Sequence, residues 1–503
     1  MQPDRLTAGK FISPARKRWE TFFKIPKPLS RGDNTPPLRA QAFTRTALSA
    51  MFNWIFRLYT TRSPCLNETS HPKVPSALRP VSFTTPTLFA ITGHADYKAR
   101  LLTHSTPIPA YDDQDARFAH AFRILEDAIV SRAFPAASVA VTHRDQLLAL
   151  RTFGRFTYDP ASLEPMTATL FDLASLTKVI ATTSMAMVLY ERGLLDLDLA
   201  LISIVGEFSG EDPRRDEVTL RMLLAHSSGL PAYEKLFLRA RTRDELLAAA
   251  FAMPLANDPG SHVEYSDIGF ILLGVALERL ADESLDRFCQ REIFGPLALT
   301  HTSFKPAPEL RSKIPPTADD QTFRHRIIQG EVQDENASVL GGVAAHAGLF
   351  ANAQDVATFA NAMLRAGTRS SDGTDENGAT VVLARRHTAP EPTADCPEKL
   401  VFRPETVALF TTRESSPEGT SRALGWDTPS SPSQSGRYFS PRSYGHLGYT
   451  GTSLWIDPER DISVTLLTNR TWPDCANQSI KQIRPRFHDA VFEVLGLADA
   501  ATE

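Results

Sequence analysis

Apolar and polar residues alternate in an ordered way only from about residue 115 onward. Residues 116–134 carry apolar side chains at helical spacing, and Pro135 ends the pattern, so the sequence predicts a helix there. The next stretch, ASVAVTHRDQLLALRTFG, fits two short strands around a turn at residues 143–145. This arrangement predicts a β-hairpin.

Strand patterns return near the end of the chain, at 452–458 (TSLWIDP) and 461–469 (DISVTLLTN), before a helical pattern at 484–496. Between these strand-rich ends, residues 195–340 carry mostly helical and loop patterns. The predicted fold is therefore α+β. We expect an antiparallel sheet assembled from both chain ends, flanked by helices, with a mostly helical region inserted between its strands.

Other stretches differ in composition from the predicted core. Residues 366–400 and 413–440 are rich in Ser, Thr, Pro and charged residues, which favours surface insertions. Across 1–70, twelve Lys and Arg residues stand against four Asp and Glu residues. Such a segment buries little apolar surface, so we expect 1–114 to be a disordered or poorly structured extension and 115–500 to form the domain. An apolar stretch near residue 50 fits either a weak secretory signal or a helix on a surface.

Composition and absent motifs exclude several classes of function. The formal net charge of −4 does not favour a nucleic-acid partner. No apolar run reaches the roughly 18–20 residues of a membrane span. The chain contains no H-E-x-x-H, G-x-S-x-G, G-x-G-x-x-G or Walker sequence, so we expect no metal, no nucleotide cofactor and no α/β-hydrolase nucleophile. Four scattered cysteines form no C-x-x-C pair, and nothing in the pattern fixes the oligomeric state.

The stretch DLASLTKV opens a long apolar run with Ser175 and Lys178 three positions apart. On a helix these positions share one face, so hydroxyl and amine can meet. A lysine amine in a dry site loses its proton more easily and can accept the serine proton. The backbone N–H of Ser175, at a helix start, is free to face a developing oxyanion. A capped helix with a partly exposed lysine gives the same spacing, so the pair alone leaves both interpretations open.

Two later stretches hold further candidates. EYSDIG places Tyr265 and Asp267 before a helical run, and a tyrosine beside a lysine can transfer protons between nucleophile and leaving group. In YGHLGYTGTSLWIDP, His446 and Gly448 precede a strand, and the N–H of Tyr449 is a candidate second oxyanion donor. Taken singly, Tyr265 also fits a core position, and the glycine-rich stretch fits an ordinary hairpin approach with a surface histidine.

Together the three stretches, S-x-x-K, then Y-x-(polar), then (basic)-x-G, resemble the serine β-lactamase and penicillin-binding-protein superfamily. The second stretch begins with tyrosine, and in this it resembles the class C β-lactamase-like branch, which includes D,D-peptidases and esterases. The resemblance covers roughly 115–497 and includes LLAHSSGLP, GGVAAHAGLFANAQDVATFANAML and GYTGTSLWIDPE. It implies a β-lactamase/transpeptidase-like fold. It also favours a location outside the cytoplasm, although the chain shows no clean signal peptide.

The resemblance implies a role for each matching residue. Ser175 corresponds to the acylated nucleophile, Lys178 to the amine that activates it, and Tyr265 to the proton-transfer partner. The backbone N–H groups of Ser175 and Tyr449 correspond to the oxyanion hole, next to Gly448. Under this resemblance the site contains no metal.

Two positions depart from the family pattern. Asp267 stands where the family most often has asparagine, and His446 where many β-lactamases have lysine. Both changes alter the charge around Lys178, which disfavours β-lactam hydrolysis more than hydrolysis as such. His226 and His346, in glycine- or alanine-flanked family stretches, are interpreted as structural.

The leading hypothesis is a cofactor-free serine hydrolase that forms an acyl-enzyme on Ser175 and cleaves an ester, amide or D-amino-acyl peptide bond. Its substrate would be a small molecule or a peptide. One alternative is a true class C-like β-lactamase. Another is a non-catalytic member of the fold that binds or senses a cell-wall peptide. The presence of Ser175, Lys178 and Tyr265 argues against this alternative. The walls of such a pocket come from variable loops, so the sequence leaves the substrate open.

Overall fold

The computed structural model describes residues 105–369 and 400–498. Its strands are β1 (Ile108–Pro109), β2 (Ala136–His143), β3 (Gln146–Gly154), β4 (Phe171–Asp172), β5 (Ser303–Phe304), β6 (Ala318–Asp320), β7 (Arg326–Ile328), β8 (Leu349–Ala351), β9 (Tyr444–Leu447), β10 (Ser453–Asp457) and β11 (Ile462–Thr468). The α-helices are α1 (Gln114–Arg117), α2 (Ala119–Val130), α3 (Ser184–Glu191), α4 (Leu220–Leu224), α5 (Arg243–Phe251), α6 (Asp267–Ala281), α7 (Leu285–Cys289), α8 (Glu335–Val339), α9 (Ala353–Arg369), α10 (Pro404–Thr411) and α11 (Ile480–Val494).

A six-stranded sheet of order β1-β3-β2-β11-β10-β9 forms the centre of the domain. The β2–β3 hairpin comes from the front of the domain, and β11 pairs with β2 antiparallel along its length. This pairing joins the two chain ends, as the sequence predicts, and confirms the α+β class. Arg144 and Asp145 adopt positive φ in the hairpin turn, which lets the chain reverse within two residues.

Alternate residues of the central strands face two separate apolar layers. Val139 and Val141 of β2 join the cluster formed with α2 and α11, whereas Ala140 faces the larger cluster that contains α9. Successive side chains point to opposite faces of a strand, so both faces of this sheet are buried. The strands therefore read as nearly continuous apolar runs. The mostly helical region between β4 and β8 adds the rest of the larger cluster, as expected for 195–340.

Part of the expected N-terminal extension belongs to the folded domain. Ile108 and Pro109 form a short parallel edge strand beside β3, and the side chain of Gln114 accepts a hydrogen bond from the N–H of Leu150 at 2.9 Å. The boundary placed at residue 115 therefore falls inside structured chain. The sequence does not indicate β1, because a strand of two exposed residues has no recognisable pattern. The prediction for residues 1–104 lies outside the described residues.

The prediction that 413–440 is a surface insertion is wrong. Leu424 and Trp426 are fully buried, and the Trp426 ring lies 5.0 Å from that of Tyr444 in an edge-on arrangement. Gly425 lies against Thr183, the last residue of the helical turn that begins at Lys178. The polar residues of this segment surround a short apolar core. The composition averaged over all 28 residues conceals that core. Residues 370–399 of the other expected insertion lie outside the described part of the chain.

Gly425 provides a test of this packing. Its φ is +84°, and an added Cβ would lie 2.0 Å from Thr183 Oγ1 and 2.9 Å from Thr183 Cβ. Gly425→Ala should lower the free energy of unfolding by about 2–4 kcal/mol, because overpacking adds to the backbone strain. Urea denaturation followed by circular dichroism measures the loss.

The matched control is Gly419→Ala. Gly419 also has positive φ, +78°, but nothing lies within 4 Å of an added Cβ. We expect this variant to lose only the backbone contribution of about 1 kcal/mol. Equal losses in the two variants would contradict the close packing of 413–440.

Candidate active site

The segment that carries Ser175 leaves β4 through a strained turn. Ala174 adopts φ +46°, and its N–H donates to Asp172 Oδ1 at 2.8 Å. The other carboxylate oxygen of Asp172 accepts the N–H of Gln333 at 2.7 Å. Burial raises the pKa of Asp172 to about 6, against the effect of these two bonds. The carboxylate thus holds an unfavourable backbone conformation in place directly before Ser175.

Ser175 and Lys178 lie on one face of the helical segment, as their spacing predicts. Ser175 occupies a 3₁₀ turn, Ala174–Leu176, and Lys178 begins a π-helical turn, Lys178–Thr183, which continues into α3. Lys178 Nζ donates to Ser175 Oγ at 3.1 Å. Turns of π-helix are uncommon and occur often at functional sites.

Lys178 is completely buried, and its ammonium donates three hydrogen bonds. The acceptors are Ser175 Oγ, Asp267 Oδ1 at 2.6 Å and the carbonyl oxygen of His346 at 2.9 Å. Burial by itself lowers the pKa of Lys178, but the charge and hydrogen bond of Asp267, with a smaller contribution from Tyr265, more than reverse this effect. The net pKa is raised, so the lysine rests as an ammonium at neutral pH.

Tyr265 donates its phenolic hydrogen bond to Ser175 Oγ at 2.8 Å. Its ring lies 4.5 Å from the ring of His226, whose Nδ1 accepts the N–H of Ser266 at 3.0 Å. Burial raises the pKa of Tyr265. Lys178 opposes this shift and Asp267 adds to it, so the phenol rests protonated. His226 therefore packs against the Tyr265 ring and bonds to the backbone of the next residue.

Asp267 is the first residue of α6, and Ser266 caps that helix by accepting the N–H of Gly269 at 2.9 Å. This cap fixes the direction in which Asp267 leaves the backbone. Its side chain is 18% exposed, so the Lys178–Asp267 ion pair closes one side of the site next to solvent. His346, the other interpreted structural histidine, bonds to Asp334 at 3.0 Å while its carbonyl accepts from Lys178.

His446 lies on β9 beside Tyr265, with the two rings 5.9 Å apart. Its Nδ1 lies 2.8 Å from the carbonyl oxygen of Leu447, which assigns the proton to Nδ1. Burial and the charges of Lys178 and Arg422 lower the pKa of His446 well below its ordinary value. This position is therefore neutral rather than cationic at neutral pH. The unprotonated Nε2 is buried and has no partner among the described residues.

Gly448 allows the turn after β9 to approach the segment that carries Ser175. A Cβ at this position would lie 1.9 Å from Thr452 Oγ1 and 2.6 Å from the carbonyl oxygen of Leu173, so only glycine fits. Thr452 Oγ1 donates to Leu173 O at 2.9 Å, and Thr450 Oγ1 donates to Asp172 O at 2.8 Å. These bonds fix the turn against the chain just before Ser175.

The two expected oxyanion donors are both free to act. In the described part of the chain, no group accepts a hydrogen bond from the N–H of Ser175 or of Tyr449. Ser175, Tyr265, Asp267, His446, Gly448 and Tyr449 all line one cleft of about 670 Å³. Residues 105–369 and 400–498 hold no cluster of His, Cys, Asp or Glu side chains arranged to bind a metal.

Arg422 is a cleft residue that the sequence analysis does not identify. Its guanidinium carbon lies 5.4 Å from the centre of the Tyr265 ring, and Asp427 is 3.7 Å from Nη1. Arg422 thus supplies a positive charge beside His446, which is itself neutral. No sequence signal points to it, because it lies in the Ser- and Pro-rich segment interpreted as an insertion.

Comparison with known proteins identifies the family of this chain. A sequence model of the Beta-lactamase family matches residues 121–482. A protein of Escherichia coli K12, provisionally named a D-alanyl-D-alanine carboxypeptidase, is 30% identical over 377 residues, which cover 68% of this chain and 80% of the relative. No helix among the described residues is long and apolar enough to cross a membrane.

Solved structures share the fold at lower identity. The octameric penicillin-binding protein homologue of Pyrococcus abyssi is 20% identical, with a TM-score of 0.56, over 75% of this chain and 77% of its own. A class C β-lactamase of Rhodobacter sphaeroides is 19% identical, with a TM-score of 0.53, over 75% of this chain and 99% of its own. The predicted β-lactamase/transpeptidase-like fold is confirmed, and the chain belongs to the beta-lactamase family as one of its serine hydrolases.

Proposed function

We propose that this serine hydrolase forms an acyl-enzyme on Ser175 and releases a terminal D-amino acid from a peptide. The observation that carries the proposal is the hydrogen bonding of Ser175 Oγ to both Lys178 Nζ, at 3.1 Å, and Tyr265 OH, at 2.8 Å. A serine hydroxyl that lines a cleft and is held by two groups that can exchange protons is equipped for nucleophilic attack.

The resting protonation states set the condition for attack. Lys178 holds a full set of protons and Tyr265 holds its own, so neither accepts the Ser175 proton in this state. Loss of one proton from the Lys178–Tyr265 pair creates the base. Ser175 Oγ then attacks the substrate carbonyl carbon while its proton passes to the pair, and Asp267 stabilises the pair whenever Lys178 is charged.

The tetrahedral intermediate places its negative oxygen between the N–H groups of Ser175 and Tyr449. Collapse of the intermediate breaks the scissile bond, and the proton taken from Ser175 moves through Tyr265 to the departing nitrogen or oxygen. Water then attacks the acyl carbon, delivers its own proton to the same pair and leaves the carboxylic acid product. Ser175 recovers its proton as the cycle closes.

The relatives support the choice of substrate. The Escherichia coli relative, provisionally named a D-alanyl-D-alanine carboxypeptidase, is aligned over 80% of its length. The cleft of about 670 Å³ is large enough for the end of a short peptide. A peptide of the bacterial cell wall as substrate would place the enzyme outside the cytoplasm.

The nucleophile is tested with Ser175→Ala and an acylated peptide ending in D-Ala-D-Ala. We expect the variant to release no D-alanine, because no other described hydroxyl is bonded to both Lys178 and Tyr265. Its thermal midpoint should stay within a few degrees of the wild type, since a partly exposed hydroxyl contributes little to stability. D-Alanine release is measured by a coupled oxidase assay.

The control is Ser209→Ala, which removes an exposed hydroxyl outside the cleft and should leave the rate unchanged. Release of D-alanine by Ser175→Ala would refute the role of Ser175. A wild-type enzyme that cleaves simple esters but never this peptide would refute the substrate and leave the acyl-enzyme chemistry standing.

The pH dependence tests Asp267. Its negative charge favours the protonated forms of both Lys178 and Tyr265, and so raises the pKa of each. Activity should therefore rise toward alkaline pH, as the pair loses a proton. Asp267→Asn should move this rising limb to lower pH, whichever of the two side chains is the base. The measurement is kcat/KM for a neutral ester against pH, which reports ionisations of the free enzyme.

Glu335→Gln is the control, because Glu335 lines the same cleft without contacting Lys178 or Tyr265. Its rising limb should coincide with that of the wild type. An Asp267→Asn limb that stays in place, or moves to higher pH, would show that Asp267 does not control the protonation of the pair.

A further inference from the structure

Two buried arginines lie beside the turn that follows β9. Arg470, just after β11, is 6% exposed, and Arg484, on α11, is 5% exposed. Neither forms an ion pair with a carboxylate among the described residues. Burial, with a smaller contribution from Arg470, lowers the pKa of Arg484 to about 9. A buried guanidinium without a counter-ion opposes folding, so its position calls for another explanation.

The contacts of Arg484 converge on one turn. Its Nη2 donates to the carbonyl oxygen of Gly448 at 3.1 Å and to that of Thr452 at 3.0 Å. Gly448 O also accepts the N–H of Gly451 at 3.0 Å. This carbonyl belongs to the same peptide group as the N–H of Tyr449, and in a trans peptide the two point in opposite directions. The carbonyl oxygen of this peptide thus accepts two hydrogen bonds, whereas its N–H donates none among the described residues.

A positive donor on a carbonyl oxygen strengthens the N–H of the same peptide. Charge-assisted hydrogen bonds are roughly twice as strong as neutral ones, and bonds in a chain polarise one another. Arg484 therefore draws electron density from the Gly448–Tyr449 peptide toward its oxygen. The N–H at the far end becomes more positive and is held in a fixed direction.

We propose that Arg484 is a positioning residue that polarises and orients the Gly448–Tyr449 peptide, so that the N–H of Tyr449 stabilises the oxyanion. The inference rests on the proposed function, in which that N–H is an oxyanion donor. Arg484 acts through the peptide, so its effect belongs to the transition state rather than to substrate binding.

Arg470 holds the next peptide of the turn. Its Nε donates to the carbonyl oxygen of Tyr449 at 2.8 Å, and its guanidinium carbon lies 4.7 Å from the Tyr449 ring centre. Two successive carbonyl groups are therefore fixed by two buried cations. Rotation of the oxyanion peptide would break contacts on both sides, which keeps the N–H preorganised before substrate arrives.

The test compares Arg484→Met with Arg484→Gln. Methionine fills similar space without a donor, and glutamine keeps one donor but no charge. Two quantities are measured: kcat and KM for a slowly hydrolysed amide, where KM approximates substrate affinity, and the Kd of phenylboronic acid, which forms an anionic tetrahedral adduct on a nucleophilic serine.

We expect Arg484→Met to lower kcat about tenfold or more, with KM within about twofold of the wild type. Loss of a whole oxyanion donor costs about 10²–10³ in kcat, and here the donor is weakened rather than removed. The Kd of the boronic acid should rise by the same factor as kcat falls. Arg484→Gln should lie between the methionine variant and the wild type in both quantities.

Arg486→Met is the matched control, because Arg486 is an exposed arginine on the same helix. It should equal the wild type in both quantities. A folded Arg484→Met protein with unchanged kcat and boronate affinity would overturn the inference. So would a raised KM at constant kcat, which would make Arg484 a direct substrate contact. Where Arg484→Met does not fold, wild-type values for Arg484→Gln would overturn it equally.

Failure of this inference can be told apart from failure of the proposed function. If phenylboronic acid forms an adduct on Ser175 of the wild type and the Arg484 variants bind it with the same Kd, only the proposed polarisation is contradicted. Absence of any adduct on Ser175 in the wild type contradicts both the proposed function and the inference that rests on it.

Discussion

The buried ammonium of Lys178 is the constraint on which the site depends. A fully buried lysine needs hydrogen-bond acceptors, because an unpaired charge in the interior is strongly unfavourable. Its three acceptors come from separate parts of the chain: Ser175 nearby, Asp267 at the start of α6, and the carbonyl of His346 before β8. The sheet and the inserted helical region must therefore dock correctly for the charge to be satisfied, and this docking also brings Tyr265 to Ser175.

The charges around Lys178 and Tyr265 differ from the family pattern at positions 267 and 446. Asp267 holds Lys178 protonated, and His446 is neutral because it is buried near Lys178 and Arg422. A positive charge lies close by on Arg422, whose guanidinium carbon is 5.4 Å from the centre of the Tyr265 ring. The cation beside Tyr265 on this side of the cleft is therefore Arg422 and not the residue at position 446.

Helical spacing and short apolar runs bounded by turns predict the Ser175–Lys178 face, the sheet and the hairpin, because each depends on residues close in sequence. Tyr265 and Asp267 are predictable only from the resemblance, since their partner Lys178 lies almost 90 residues away. Arg484 carries no local pattern at all, because its role arises from a contact with the carbonyl of Gly448. For residues 413–440 the sequence predicts a surface insertion where the structure has a packed segment, because the polar average composition conceals the buried Trp426.

The central claim is that Ser175 becomes acylated once the Lys178–Tyr265 pair has lost a proton. The most direct measurement mixes the enzyme with an activated ester, quenches with acid after milliseconds at a series of pH values, and maps the acyl mass by peptide mass spectrometry. The account predicts one acyl group on Ser175, formed faster as pH rises. An acyl group on another residue, or a rate of Ser175 acylation that is independent of pH, would contradict it.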